Sequence, residues 1–162
     1  MKKLLSLSLG LVALGACKKD SETTPAGAAS PTELLTAKSW HMSAYTSSFA
    51  EADAAAVTTN EYATTPACQH DDFAKFNADK SVRFDEGTTK CNTTDAQSQN
   101  STWELSSNNT KLTLAAPQLG GFPIPYDVIV LTASTLQLRY SYTYSSNNAS
   151  YTETQDVTFT AL

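Results

Sequence analysis

From Ser39 to the C-terminus, apolar and polar residues alternate in short runs with a period of two, the spacing of strands that bury one face. Trp40, Met42 and Ala44 alternate with His41, Ser43 and Tyr45 and predict a first strand. Ala74 and Phe76 fall on the same side as Val82 and Phe84, which predicts a hairpin from Phe73 to Phe84 through Asn77-Ala78-Asp79-Lys80. A second hairpin joins Asn100–Leu105 to Thr110–Ala115 through Ser106-Ser107-Asn108-Asn109. Tyr126–Leu131 is apolar on both faces and predicts a strand covered on both. Leu136, Leu138, Tyr140, Tyr142 and Tyr144 share one face of a long strand, and Ser145-Ser146-Asn147-Asn148 turns the chain into the last one. There Tyr151, Glu153, Gln155, Val157 and Phe159 alternate with threonines and Asp156. Two segments break the pattern. Phe49–Val57, rich in Ala with Glu51 and Asp53 early, predicts a helical insertion followed by a loop over Thr58–Pro66, and Pro117–Pro125 is a Gly- and Pro-rich connection. The sum is about eight strands, mostly linked as hairpins, and predicts an all-β fold: an antiparallel barrel whose closure removes exposed edges.

The N-terminal residues follow other rules. Ser30-Pro31-Thr32-Glu33 carries a capping box with Pro at the first helical position, and Leu34 and Leu35 give this short helix an apolar side. So short a helix does not persist alone, so it is expected to plug or flank the sheet. Further upstream, Lys2 and Lys3 precede an apolar run from Leu4 to Leu14, too short for the roughly 20 residues of a spanning helix and suited to an export signal. Leu14-Gly15-Ala16-Cys17 resembles the bacterial lipobox, in which small residues precede a cysteine whose thiol takes a diacylglycerol. At roughly 0.8 kcal/mol per buried methylene, two or three acyl chains on Cys17 would hold the protein stably on a membrane. The expected organisation is a signal peptide over residues 1–16, a polar and Thr/Ala/Pro-rich tether over 17–29, and one barrel domain over 30–162. The expected location is the bacterial cell envelope, at the outer membrane.

Composition sharpens this picture. Charged residues make up 17% of the chain, while Thr, Ser and Asn are abundant, as on exposed faces and turns of antiparallel strands. Sixteen acidic residues oppose eleven basic ones; loss of Lys2 and Lys3 with the leader leaves nine basic residues and a net charge of −7. That sign repels phosphate backbones, so nucleic acid is not an expected partner. With Cys17 assigned to lipid, Cys68 and Cys91 form an even pair in an oxidising compartment and are expected to form a disulfide. As metal ligands, two thiols with His70 nearby make a thin set.

Leu34-Leu35-Thr36-Ala37-Lys38-Ser39-Trp40, the run Cys68-Gln69-His70-Asp71-Asp72-Phe73-Ala74-Lys75-Phe76-Asn77-Ala78-Asp79, and Asp85-Glu86-Gly87-Thr88-Thr89-Lys90-Cys91 resemble the lipocalin-like lipoproteins of Bacteroidetes-type bacteria. Thr102-Trp103-Glu104-Leu105, Thr110-Lys111-Leu112-Thr113-Leu114 and Leu131-Thr132-Ala133-Ser134-Thr135-Leu136 continue the likeness. The resemblance implies a lipocalin-type barrel. Two positions depart from it: Ala37 stands where Gly is usual, so the Gly-x-Trp of true lipocalins is absent, and Lys80 stands where a hairpin Gly is usual. A non-Gly residue at positive φ there would cost on the order of 1 kcal/mol.

The candidate chemistry follows from which faces meet. Glu153 and Gln155 share a face with Tyr151, Val157 and Phe159; turned inward, they would need partners such as the hydroxyls of Tyr140 and Tyr142, water or a ligand. An apolar pocket with a few convergent polar groups is the usual form of a small-molecule site, and Trp40, Leu138, Tyr140, Tyr142, Glu153 and Gln155 are its expected lining for a small apolar ligand. An eight-stranded barrel filled by its own side chains, serving as an envelope accessory or interaction module through loops such as Phe49–Pro66 or Gly120–Pro125, is the alternative. Asp71, Asp72, Asp85 and Glu86 are expected to converge at the open end of the first hairpin. They could supply oxygens to a hard cation, cap backbone amides or face solvent. His41 and His70 lie in no nucleophile motif, so neither catalysis nor a cofactor is expected.

Overall fold

The computed structural model describes residues 27, 29–116 and 120–162; the leader, the tether up to Ala26 and Cys17 lie outside the described residues. Among the described residues, a short helix α1 (Pro31–Ala37) precedes nine strands: β1 (Ser39–Glu51), β2 (Val57–Asn60), β3 (Phe73–Phe76), β4 (Ser81–Asp85), β5 (Ser98–Leu105), β6 (Lys111–Leu114), β7 (Ile124–Leu131), β8 (Thr135–Ser146) and β9 (Ala149–Ala161). All pairings are antiparallel, in the order β2-β1-β3-β4-β5-β6-β7-β8-β9, and β9 returns to pair with β1. One edge of β1 is shared: Ser39–His41 pair with β3, and Thr46–Phe49 pair with β2 farther along. Eight strands therefore close the barrel, and β2 extends the wall beyond β3.

The core fills one half of the barrel. Trp40, Phe76, Val82, Trp103, Leu112 and Leu136 are all nearly inaccessible. The helix α1 carries the expected capping box, with Ser30 Oγ accepting from the Glu33 amide at 3.2 Å and Glu33 accepting from the Ser30 amide at 2.7 Å. It touches both β3 and β7, which lie on opposite sides of the ring, so it crosses the end of the barrel and inserts the fully buried Leu35. Trp40 Nε1 donates to the Leu35 carbonyl at 2.8 Å and Lys75 Nζ to that of Thr36 at 2.8 Å, satisfying carbonyls that a helix C-terminus leaves open.

The first hairpin has the expected inward set, with Ala74 opposite Phe84 and Phe76 opposite Val82. Lys80 has φ 70°, the left-handed conformation that the missing Gly implies. Its ammonium lies 4.0 Å from the centroid of the Trp103 ring, a cation–π contact worth about 0.5–1 kcal/mol that offsets the strain. Asn147 and Asn148, at φ 51° and 64°, form the tight two-residue turn between β8 and β9. The outer face of this pair is a ladder of hydroxyls, Ser141 with Thr154 at 2.9 Å and Thr143 with Thr152 at 3.0 Å. Cross-strand ion pairs Lys111–Asp127 and Arg139–Asp156 flank it.

Three expectations are corrected. The Ala-rich segment after Phe49 is not helical: Phe49, Ala50 and Glu51 pair with Glu153, Thr152 and Tyr151, the chain turns at Asp53 (φ 65°), and Val57–Asn60 returns as β2 with two 3-10 turns following (Tyr62–Thr64 and Ala67–Gln69). Helix propensity in so short a run cannot outweigh a ladder offered by a neighbouring strand. The alternation in β1 also does not run through Ala44. A bulge at Ser43 makes Met42 face Phe159 and Ala44 face Thr158, so the inward set passes from Trp40 and Met42 to Tyr45, and Ala44 is exposed. Ser43 Oγ, donating to the Thr158 carbonyl at 3.2 Å and accepting from Thr160 Oγ1 at 2.9 Å, pins the bulge. In β7 a second bulge between Val128 and Val130 turns Ile129 outward, where it is 45% exposed, so this strand is not covered on both faces.

The disulfide Cys68–Cys91 forms, with Cα atoms 5.2 Å apart, and ties the second 3-10 turn to the loop after β4. Replacing both cysteines by Ser should lower unfolding stability by about 3 kcal/mol, the chain-entropy value for a loop of this size. Urea denaturation at equal protein concentration measures it.

Candidate functional site

Opposite the helix-plugged end, the barrel is open and encloses a cavity of about 390 Å³. The floor is Trp40, Met42 and Leu138, and Ala74, Phe84 and Val157 form much of the wall. Their inward direction follows from register: Leu138 faces Val157, and Ala74 faces Phe84. Polar groups sit nearer the mouth: Tyr45 from β1, Gln99 from β5, Tyr126 from β7 and Gln155 from β9. Thr65 and Gln69 reach in from the segment between β2 and β3, which the disulfide holds beside the opening. In that segment His70 stacks on Tyr62 with centroids 4.7 Å apart and shares a 3.0 Å hydrogen bond with Thr65 Oγ1; His41 lies on β1 opposite Phe73 and Thr160.

Of the residues expected to line a ligand site, the structure brings Trp40, Leu138 and Gln155 together in the cavity. Tyr140 packs against the core below, while Tyr142 and Glu153 stand above the rim on the extension built by β1, β8 and β9. Tyr142 Oη donates to Glu153 Oε2, and this bond pushes the phenol up to about 12. Gln155 Nε2 donates to Glu153 Oε1 at 3.2 Å, so the polar groups on this face satisfy one another. The rings of Tyr126, Tyr140, Tyr142, Tyr144, Tyr151 and Phe49 follow in unbroken sequence at centroid spacings of 5.5–6.0 Å. This aromatic strip leads from the exposed tip of the extension into the cavity wall, where burial, with smaller contributions from Tyr45 and Tyr140, raises the Tyr126 phenol to about 12.

The four acids expected at the open end of the first hairpin are there, but they divide. Asp71 caps the turn after β4, accepting from the Thr88 and Thr89 amides at 2.8 and 3.0 Å and from Thr88 Oγ1 at 2.6 Å. Those bonds, led by the Thr88 hydroxyl, hold its carboxyl below the usual range. Gly87 makes this approach feasible: it has φ +64°, and a Cβ there would sit 2.4 Å from the Asp71 carbonyl oxygen. Asp85 is buried and pairs with Arg83, while accepting from the Gly87 amide at 3.1 Å and Gln97 Nε2 at 3.0 Å. Asp72 and Glu86 line the cavity beside Asp85, but without such donors. Burial first, then Glu86 and Asp71, raise the Asp72 carboxyl to about 6. Among the described residues, no three His, Cys, Asp or Glu side chains gather as a metal site.

Tyr45, Met42 and Phe84 line the cavity outside the expected ligand-site set, although the hydrophobic pattern puts Met42 and Phe84 on inward faces. The Ser43 bulge hides Tyr45, while Phe84 is legible as an inward residue and lacks only the knowledge that its end of the barrel is hollow.

The chain forms a closed antiparallel barrel of eight strands, plugged at one end by a helix and hollow at the other, an architecture with room for one small molecule. Residues 36–138, well over half of the chain, match the lipocalin-like domain family, and the chain belongs to that family. A search of curated proteins returns no match. The family's fold is generally a binding fold and not an enzymatic one.

The raised Asp72 carboxyl has a stability consequence. The unfolded chain releases this proton near 3.8, and the folded protein holds it up to about 6, so stability declines as pH rises through that window. Asp72→Asn should therefore melt above the wild type at neutral pH, and the two should converge below about pH 4. Thermal melts across pH measure the difference; parallel curves would remove the assignment.

Proposed function

We propose that the protein is an exported lipoprotein, held on the outer membrane of a bacterial envelope by acylated Cys17, whose barrel takes up a small apolar or amphipathic molecule. The observation that carries the binding reading is the cavity of about 390 Å³ with an apolar floor, within the size range of ligand pockets. Two features support it. The aromatic strip from Phe49 to Tyr126 gives an apolar molecule a continuous surface from solvent to cavity. The disulfide pins the segment carrying Thr65 and Gln69, so the mouth is preorganised and ordering it on binding costs little. The reading assigns no catalytic residue.

A second reading, an accessory module that contacts other envelope proteins, draws on exposed apolar side chains at the open end. Phe122 is 74% exposed and Val57 68% exposed, and Phe49, Tyr142 and Tyr144 stand near them on the same end of the barrel.

Val157→Trp should fill the cavity from the wall. N-phenyl-1-naphthylamine, a neutral fluorescent probe, should bind the wild type and bind this variant at least about tenfold more weakly, because the indole occupies apolar space that the probe would otherwise bury itself in. Equal binding by a variant of unchanged melting temperature would place the probe elsewhere and favour the accessory reading. For the anchor, Cys17→Ser should move the protein from the membrane to the soluble fraction, and unchanged fractionation would refute lipidation.

A further inference from the structure

Resting on the cavity-binding reading above, the structure points to a ligand class. Phe73 opposite Asp85 is the last paired position of the first hairpin. Continuing that register by one residue sets Asp72 against Glu86 on the inward face that Ala74 and Phe84 share, and both line the cavity. Two like charges facing across a strand pair repel, and the fold offers them no relief. Among the described residues, neither carboxylate has a cation or a hydrogen-bond donor, and Asp72 Oδ1 is buried without a partner. The cations nearest in sequence are committed elsewhere: Arg83, three residues before Glu86, pairs with Asp85, and Lys75, three residues after Asp72, donates to the Thr36 carbonyl.

The rest of the lining gives the same sign. The charged groups facing the cavity are Asp72 before β3, Asp85 at the end of β4 and Glu86 just after it. Strands β1, β5, β7 and β9 contribute Tyr45, Gln99, Tyr126 and Gln155, and among the described residues no Lys, Arg or His lines the space. A molecule with a carboxylate head would bring a third uncompensated negative charge to this end. A cationic head would relieve the repulsion and supply the donors that both carboxylates lack. Two free carboxylates are few for a metal such as Ca²⁺, which takes six to eight oxygens, and the walls below them are apolar and aromatic.

We propose that the cavity selects amphipathic amines: an apolar body lies between Trp40, Phe84 and Leu138, and a protonated amine sits between Asp72 and Glu86 at the mouth. Loss of the charge on Asp72 at mildly acidic pH weakens this recognition, in the direction that its raised carboxyl sets.

The test displaces N-phenyl-1-naphthylamine from the wild type and from Asp72→Asn/Glu86→Gln with octylamine, octanol and octanoate, probes of matched apolar length. In the wild type at neutral pH, octylamine should displace at roughly tenfold lower concentration than octanol, the size of one charge-assisted hydrogen bond, with octanoate weakest. The preference should shrink below about pH 5 and vanish in the double variant, whose retained probe binding shows an intact cavity. Equal displacement by octylamine and octanol, or an amine preference that survives in the double variant, overturns the amine assignment while leaving the cavity reading in place. Stabilisation of the wild type by calcium chloride without any amine preference also overturns it. Failure of the probe to bind the wild type overturns both.

Discussion

The β1–β9 ladder is the constraint on which the structure depends. It runs from Trp40 opposite Ala161 to Glu51 opposite Tyr151 and joins the first strand of the chain to the last. No local hairpin can do this; the ends of the domain must meet after every intervening strand has found its register. The C-terminal residue is drawn into the same closure, with the Leu162 amide donating to the Ser39 carbonyl at 2.9 Å. Once the ring is closed, its edges disappear and its interior becomes a separate compartment.

The length of that ladder also shapes the mouth. The strands β1, β8 and β9 are much longer than β3, β4 and β6, so one wall rises above the others and carries the aromatic strip. The low wall, around β3 and β4, ends in the acids and is bordered by the disulfide-held segment. The cavity thus lies between an aromatic high side and an anionic low side. Its floor is apolar and packed because Trp40, held by its bond to the Leu35 carbonyl, is buried under a helix that crosses the closed end.

Interior acids are a cost to folding, and here the fold contains some of that cost and leaves the remainder. Asp71 and Asp85 are each given several donors, and the Gly87 turn brings those donors in. Asp72 and Glu86, one position apart from them, receive none and face the hollow. A structure that gives donors to two of four neighbouring carboxylates and none to an opposed pair places its electrostatic tension at the site where a ligand would relieve it.

Much of this was legible in the residues alone. The alternation of Ala74, Phe76, Val82 and Phe84 fixed a hairpin and its inward face, the Leu136–Tyr144 stripe fixed the long strand β8, and Ser30 through Glu33 fixed a capped helix, because each signal is local and set by backbone geometry. The pairing of Cys68 with Cys91 followed from counting. Tertiary structure decided the rest. The bulges at Ser43 and Ile129 exchanged inside for outside, since one extra residue in a strand inverts every position after it. Phe49–Glu51, at the head of the Ala-rich segment, became strand because β9 was there to pair with it, and the alanines after it became a turn. Which inward residues pack and which face a void depended on where α1 crosses the ring, a long-range fact with no trace in periodicity. The same holds for the acids: their presence at one end of a hairpin could be read from spacing, but the division into two that accept from the turn after β4 and two left without donors at the cavity arises when the loop after β4 folds back over them.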